Sequence, residues 1–288
     1  MRKVIDSNML QSETLRAYLS ASRENYAVLT DYAAMEAYKG NTLQSIHRSM
    51  EILATRPRQV IVLKGTQTIC GLRGRPAGLQ RRMIDEGQTR GFIDYCRDLR
   101  VTRNGDRRFE KNILAHGREA TAHMERLLVD ASHMPVIFED IAKSYSREDL
   151  KLLRSGRPLS DEMLSKTMRN IRAVVISMFQ NHPKVAKLPP RREFGNTYLF
   201  RFALSAYVWA LRWISVGGAS QTKPENVRND MVDISFVVYG SFFDGLLTAD
   251  AKAVELHREV IWWLSTLRGY VRRCSSAAVN STHGWPIS

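Results

Sequence analysis

The sequence predicts an α/β fold in which a parallel sheet carries helices on both faces and is interrupted by a mainly helical insertion. Three short runs rich in apolar and β-branched residues alternate with amphipathic segments in residues 1–65. Residues 66–195 then show helical patterns only, and a strand pattern returns within residues 196–273. Strands that alternate with helices of about 10–15 residues are typical of parallel sheets. We therefore expect one discontinuous domain of residues 1–65 and 196–273, with residues 66–195 as the insertion.

The first 65 residues contain three predicted strands, at Lys3–Asp6, Tyr26–Thr30 and Val60–Leu63. Around them the apolar residues recur at helical spacing, which predicts helices at Ser12–Ser20, Tyr32–Tyr38 and Thr42–Ala54. The side chain of Ser12 is placed to cap the first helix. Pro57 lacks the backbone N–H that a continuing helix needs, so the third helix is expected to end before it.

The insertion has no convincing strand pattern, and helices are predicted at Gly78–Leu99, Arg107–Ala131 and Ser160–Phe179. Three prolines between residues 183 and 192 predict a linker at its end. Beyond the linker, a short strand is predicted at Gly245–Thr248, and helices are predicted at Thr197–Val216, Asn229–Tyr239 and Ala251–Arg272. Residues 274–288 are mostly small and polar, which predicts a loose tail.

The composition is that of a globular protein with an unusual charge. Lys and Arg number 43 against 29 Asp and Glu, which gives a net charge of +14. The insertion holds 25 basic and 16 acidic residues and so contributes +9 of that charge. A strongly basic chain favours a polyanionic partner, and nucleic acid is the partner that we expect. A merely basic surface without such a partner is the alternative.

Cysteine usage and the apolar segments indicate the compartment. The cysteines Cys70, Cys96 and Cys274 are odd in number and far apart, which argues against a disulfide framework or a zinc ribbon. The first residues lack the apolar core of a signal peptide. The longest apolar stretch, Tyr198–Val216, carries two arginines, which favours a buried helix over a membrane span. We therefore expect a cytoplasmic protein with no membrane partner.

Acidic residues follow the predicted strands at one edge of the sheet. Asp6 ends the first strand, Asp250 follows the last, and Glu36 lies on the helix after the second. Asp230 and Asp233 are three residues apart and share one helix face. Ligand sites of open parallel sheets lie beyond the carboxyl ends of the strands. Because clustered carboxylates repel one another unless a cation neutralises them, we expect Mg²⁺ or Mn²⁺ here, serving hydrolysis of a phosphodiester.

Each acid also has a structural interpretation. We expect Asp31, directly after the second strand, to cap the following helix rather than to bind a metal. Asp230 or Asp233 can cap its own helix or pair with Arg228. The two acids at the strand ends would, taken singly, be ordinary loop residues. Their joint placement along one edge favours the functional interpretation.

Three parts of the chain resemble the PIN-like nucleases. Residues 4–8 look like the opening strand of that family, in which Asp is followed by a small or hydroxyl residue. Residues 29–36 are similar to its second strand and acidic helix. The most specific part is residues 229–250, which are similar to the closing unit, an acidic helix followed by a short strand ending in Thr-x-Asp. The resemblance covers residues 1–65 and 197–265, around half of the chain.

The resemblance implies a Rossmann-like three-layer α/β/α fold and hydrolysis of phosphodiester bonds, most often in RNA, with Mg²⁺ or Mn²⁺. It implies metal-ligand roles for Asp6, Glu36, Asp233 and Asp250, with Asp230 assisting or replacing Asp233. Asn8 and Thr248 would orient the ligands or a metal-bound water.

The insertion departs from the compact members of this family and leaves the choice of substrate open. Insertion-bearing nucleases often resemble toxins or antiphage effectors, and this implies a regulatory protein partner or trigger. Candidate nucleic-acid contacts lie in the basic loop of residues 71–78 and just after it, at Arg73, Arg75, Arg81 and Arg82. A solvated loop is an equally good interpretation of these arginines.

Other signals are weaker. Arg118 and His123 have the Arg-x4-His spacing of HEPN ribonucleases, which cleave RNA without a metal, but such pairs are as frequent here as chance predicts. Four tryptophans lie in apolar helices and are expected to pack in the core: Trp209, Trp213, Trp262 and Trp263.

The sequence thus favours a metal-dependent endonuclease, with RNA as the preferred substrate. One alternative is a non-catalytic nucleic-acid-binding or scaffold protein that retains the fold. Another is a DNase that uses the same metal site, because no feature of the sequence indicates recognition of the 2′-hydroxyl that distinguishes RNA from DNA.

Overall fold

The protein is built on a four-stranded parallel sheet with helices around it. The structure, a computed structural model, describes residues 1–38, 42–102, 134–155, 160–182, 187–216 and 224–278, together with residues 111, 114, 115, 118, 119, 122 and 185. The strands are β1 (Arg2–Ile5), β2 (Tyr26–Leu29), β3 (Val60–Val62) and β4 (Leu246–Leu247). They lie in the order β3-β2-β1-β4, and every pairing is parallel, as the α/β class requires.

Helices make up most of the described chain. Those before residue 103 are α1 (Glu13–Ala21), α2 (Asp31–Tyr38), α3 (Leu43–Thr55), α4 (Thr66–Cys70), α5 (Leu79–Met83) and α6 (Glu86–Thr102). Those after residue 133 are α7 (Met134–Lys143), α8 (Arg147–Arg154), α9 (Asp161–Asn181), α10 (Tyr198–Ser215), α11 (Pro224–Gly240) and α12 (Ala251–Ala278). Short 3₁₀ turns lie at Ser7–Met9, Pro57–Gln59 and Arg191–Asn196.

Hydroxyl side chains fix where several helices begin. Ser12 accepts a hydrogen bond from the backbone of Thr14 at 3.1 Å, and Thr42 accepts one from Ser45 at 3.2 Å. Thr197 likewise caps α10. Each cap satisfies a backbone N–H that the first helical turn leaves without an acceptor. The predicted cap at Ser12 is confirmed.

The sheet lies in the core and is covered on both faces. Val4, Ile5, Ala27 and Val28 are completely buried, as expected of parallel strands with helices on each side. The connections from β1 to β2 and from β2 to β3 run in one direction across the sheet, whereas the long connection to β4 runs back. Right-handed crossovers therefore place these two sets of helices on opposite faces. Helix α11 contacts both β1 and β4.

The region between β3 and β4 shares its core with the sheet. Helices α7, α8 and α9 contact α10, and α6 contacts β3. The buried hydroxyl of Tyr145 lies 2.9 Å from the hydroxyls of both Thr167 and Tyr207, which joins the predicted insertion to α10. The predicted boundary at residue 65 is thus crossed by extensive packing.

One sequence prediction in this region is wrong. The continuous helix expected over Gly78–Leu99 is two helices, α5 and α6, because the residues between them pair with the end of β3. Ile84 forms an antiparallel bridge with Leu63, and the backbone N–H of Asp85 donates to Val62 at 2.9 Å. Elsewhere, the helix predicted at Arg107–Ala131 lies mostly outside the described residues. Helix α12 continues to Ala278, beyond its predicted end at Arg272.

The apolar helix α10 is buried, as its two arginines predict. The Arg201 guanidinium is only 4% exposed, donates to the carbonyl of Gly195 at 2.9 Å and lies 3.7 Å over the ring of Phe242. Arg212 pairs with Glu259 at 3.0 Å. None of the helices in the described residues is both long and apolar enough to cross a membrane.

Candidate active site

Strands β1 and β4 bring two acids from distant parts of the chain to one edge of the sheet. Ile5 is in register with Leu247, and the backbone N–H of Asp6 donates to the carbonyl of Leu247 at 3.0 Å. Asp6 follows β1 directly, and Asp250 lies three residues after β4. The predicted edge therefore exists, and it is the carboxyl edge where parallel sheets hold ligands.

Asp6 is held by donors from both strand ends. Its side chain is 2% exposed, and its Oδ2 atom accepts hydrogen bonds from Thr248 Oγ1 at 2.5 Å and from Asn8 Nδ2 at 2.7 Å. Burial raises the pKa of Asp6 because it outweighs the opposite effect of these hydrogen bonds. Asn8 and Thr248 thus occupy the orienting positions that the resemblance implies for them.

Ser7 is a site residue to which the sequence assigned no role. Its hydroxyl lies 3.3 Å from Asp6 Oδ1 and 3.1 Å from Glu36 Oε2, and so bridges the acid after β1 to the acid on α2. The signal was present in the sequence, since a hydroxyl residue directly after a strand-ending Asp shares its edge. Glu36 is therefore brought to the predicted edge.

Asp250 both caps a helix and lies at the edge. Its Oδ1 atom accepts from the backbone N–H groups of Lys252 at 2.6 Å and Ala253 at 3.2 Å, which caps α12. Its own N–H donates to Thr248 Oγ1 at 3.0 Å, so the residue that contacts Asp6 also positions Asp250. The structural and functional interpretations of this acid are compatible, because the cap uses one of its two oxygens.

Asp233 shows most clearly that the acids share one region. Burial has the largest effect on its pKa, and together with the neighbouring charges of Asp6, Asp250, Asp230 and Glu36 it raises that pKa to about 8. No hydrogen bond or ion pair reaches its carboxyl group from the side chains that the structure describes. In the metal-free protein the carboxyl group of Asp233 therefore keeps its proton to a higher pH than an ordinary aspartate does.

Asp230, one turn earlier on α11, faces a different environment. Burial raises its pKa, while the charge of Lys252 and hydrogen bonds from the indoles of Trp209 and Trp213 act in the opposite direction. Asp250 adds a repulsive charge. Asp230 is therefore partly neutralised by α10 and α12, in contrast to Asp233.

The acids fit a hard divalent cation in their chemistry, but they do not form a closed metal site. All of them offer carboxylate oxygens, which Mg²⁺ and Mn²⁺ prefer, and their mutual repulsion is what such an ion would relieve. Yet in the described part of the chain no three His, Cys, Asp or Glu side chains converge as a ready metal-binding group.

The expectation that Asp31 caps the helix after β2 is wrong. The cap of α2 is Thr30, whose Oγ1 atom accepts from the backbone of Ala33 at 3.1 Å. Asp31 instead accepts from the N–H of Thr66 at 2.7 Å and from its hydroxyl at 2.8 Å, so it caps α4. Its role is structural, and α4 was not visible as a helix start in the sequence.

The four candidate arginines are not joined to the acids by any contact in the described residues. Arg82 donates to the carbonyls of Arg73, Arg75 and Ala77 and so holds the basic loop in shape. Arg81 is 83% exposed and lies 3.5 Å from Glu86. A role in binding nucleic acid stays a prediction for all four. His123, of the HEPN-like pair, lies outside the described residues.

The structure thus brings Asp6, Glu36, Asp230, Asp233, Asp250, Asn8 and Thr248 to one region and adds Ser7 to them.

In comparisons with protein-family models, with curated proteins and with solved structures, nothing matches this chain. The likeness to PIN-like nucleases therefore depends on the residues quoted from the sequence.

Proposed function

We propose that the protein is a metal-dependent endonuclease with a PIN-like, Rossmann-like α/β/α domain, and that RNA is its preferred substrate. The observation that carries the proposal is the group of acids at the carboxyl edge of the sheet, in which Asp233 is half-buried, has no described partner and is repelled by its neighbours. A binding module for polyanions gains nothing from negative charge concentrated in this way.

Asp6, Glu36, Asp233 and Asp250 would hold Mg²⁺ or Mn²⁺, with Asp230 beside them. A bound divalent ion supplies charge neutralisation at the phosphate and an activated water. Thr248, Asn8 and Ser7 keep the Asp6 and Glu36 carboxylates in place through the hydrogen bonds described above. The basic surface elsewhere on the chain holds the polyanion.

A cleavage assay tests the proposal. Labelled RNA, single-stranded DNA and duplex DNA are incubated with Mn²⁺, Mg²⁺ or EDTA, using the wild type, Asp233→Asn and the control Asp94→Asn. Asp94 is an exposed acid on α6 that pairs with Arg97, outside the acidic group. We expect cutting only with metal, a loss of at least a hundredfold in Asp233→Asn and no change in Asp94→Asn. Cutting that persists in EDTA would contradict the proposal.

The second candidate is a non-catalytic nucleic-acid-binding or scaffold protein with the same fold. It is favoured by the lack of a closed metal-binding group among the described residues. Calorimetric titration with Mn²⁺ separates the two candidates, because the enzyme must bind the ion and a scaffold with a decayed site does not. A DNase would instead show itself in the DNA arms of the cleavage assay.

A further inference from the structure

A pocket of about 240 Å³ lies between helices α10, α11 and α12, beside the acidic group. We name it the indole pocket, and we define it by Trp209, Trp213, Asp230, Asp233 and Lys252, which line it. Asp233 belongs both to this pocket and to the acids at the sheet edge. Whatever fills the pocket therefore lies next to the proposed site of cleavage.

Part of the wall of the indole pocket is aromatic. Trp209 and Trp213 meet edge to face, with ring centroids 6.3 Å apart and an interplanar angle of 89°. Trp209 is 7% exposed and is anchored in the core, whereas Trp213 is only partly buried. Val216, at the rim, is 77% exposed, so the pocket opens to solvent on that side. Trp213 packs against the core, as the sequence predicts, and it also lines the pocket.

The size of the indole pocket admits one small ring system. Its volume is below the roughly 300–1,000 Å³ of pockets that enclose drug-sized ligands. A nucleobase fits this description, because it is flat and stacks on aromatic side chains regardless of its sequence context. A base paired in a duplex cannot enter, since it would first have to leave the stack.

The polar groups of the indole pocket favour bases that donate hydrogen bonds. Asp230 accepts hydrogen bonds from the indoles of Trp209 and Trp213 and lies near Lys252, and its carboxylate can also accept from an exocyclic amino group such as that of cytosine. The corresponding group of uracil or thymine is a carbonyl, which cannot donate. Arg212, at the same pocket, is already paired with Glu255 and Glu259.

We propose that the indole pocket binds one unpaired nucleobase carrying an exocyclic amino group, so that the protein acts on single-stranded rather than duplex nucleic acid. This inference rests on the proposed nuclease function, because the pocket would hold the base that adjoins the reacting phosphate. The basic surface then holds the remainder of the strand.

Binding in EDTA tests the indole pocket apart from catalysis. Fluorescence polarisation compares labelled oligomers of rA, rC and rU and a blunt duplex, with the wild type, Trp213→Ala, Trp213→Phe and Trp262→Ala. Trp262 is the matched control, since it is 51% exposed on α12 and does not line the pocket. Both Trp213 variants remove the indole N–H that donates to Asp230, so an effect of that lost hydrogen bond appears in both of them.

We expect Trp213→Ala to weaken binding of rA and rC oligomers about tenfold or more, because stacking contributes roughly 1–3 kcal/mol per base. Trp213→Phe retains a ring and should keep most of the affinity, and Trp262→Ala should bind as the wild type does. Equal affinity for rU, equal affinity for the duplex, or no loss in Trp213→Ala would overturn the inference. If the expected binding is found but the protein cuts no substrate in the presence of metal, the proposed nuclease function is wrong and the inference that the pocket binds a base is retained.

Discussion

Thr248 is the residue on which two of the acids depend. Its hydroxyl donates to Asp6 Oδ2 and accepts from the N–H of Asp250, so one side chain orients acids on either side of the β1–β4 pairing. Asn8 makes a parallel connection, donating to Asp6 and accepting from Ala249 at 3.2 Å. These two residues make the spacing between the acids a property of the sheet register rather than of flexible side chains.

Asp233 destabilises the metal-free protein in a pH-dependent way. Its folded-state pKa of about 8 lies above its ordinary value of 3.8, so between these pH values the folded chain holds a proton that the unfolded chain has released. Stability therefore falls as pH rises through this window, and the full penalty persists above it. Asp233→Asn should accordingly stabilise the metal-free protein at pH 8, by on the order of a few kcal/mol, and have little effect at pH 4.

Urea unfolding in EDTA at pH 4, 6 and 8 measures this effect. The exposed Asp94→Asn should show no comparable gain at any pH, because surface ion pairs contribute about 0–1 kcal/mol. Equal or lower stability of Asp233→Asn at pH 8 would show that Asp233 is not repelled by its neighbours. A gain here together with lost cleavage is the trade between stability and activity that active-site residues commonly show.

At the scale of elements, Gly240 is where α11 meets β4 and α12. A Cβ added there would lie 3.0 Å from Leu246 Cβ and 3.2 Å from the ring of His257. Leu246 Cβ is fixed to the strand backbone, so the contact cannot be relieved by rotating a side chain. Gly240→Ala should therefore lower the free energy of unfolding by about 1–3 kcal/mol.

Gly91, in the middle of α6, provides the matched comparison. An added Cβ there meets nothing within 4 Å. Gly91→Ala should stabilise the protein by about 0.5–1 kcal/mol, because alanine is the better helix former. Chemical denaturation of both variants measures the difference, and a neutral Gly240→Ala would mean that β4 has room to shift.

Some of these elements could be predicted from the sequence, and others could not. The strand ends and the helices that start at Ser12, Thr42 and Thr197 were predictable, because alternation and capping are local signals. The break at Ile84 was not, since its cause is pairing with Leu63 on another element. The expectation that Asp31 caps α2 was wrong for the same reason, because its partner Thr66 is 35 residues away in the sequence.

The candidate site, too, could be predicted only in part from the sequence. The acids could be placed at one edge because they follow predicted strand ends or lie on adjoining helices, and the roles of Asn8 and Thr248 followed from the resemblance. The bridge from Ser7 to Glu36 needed side-chain positions, as did the indole pocket. Trp262 was expected in the core and is 51% exposed, because apolar spacing on α12 does not reveal which face meets α11.

At the scale of the whole molecule, the net charge is +14 although the acids of the candidate site lie in one region, so the proposed polyanion would be bound elsewhere on the chain. Arg73 and Arg75 lie in the loop that Arg82 supports, and they remain the best-placed candidates. Each phosphate contact adds roughly 0.7–0.9 to the slope of log affinity against log salt. Arg73→Ala/Arg75→Ala should therefore lower that slope by roughly one to two.

Oligonucleotide binding from low to high salt measures the slope. The comparison is Arg16→Ala/Arg97→Ala, which removes the same charge from two exposed arginines that pair with Glu13 and Asp94. An equal change in both double variants would mean that the loop contributes only to the general charge and makes no phosphate contact.

Because β1 pairs with β4, the candidate site can form only after most of the chain has been synthesised. Thr248 is 242 residues downstream of Asp6, its hydrogen-bond partner. At about 5–20 residues per second, the ribosome takes roughly ten to fifty seconds to cover that distance. During this time the nascent chain has no complete acidic group, and a prematurely terminated product never acquires one. Under the proposed function, an unfinished copy of the chain would therefore be unable to cut nucleic acid.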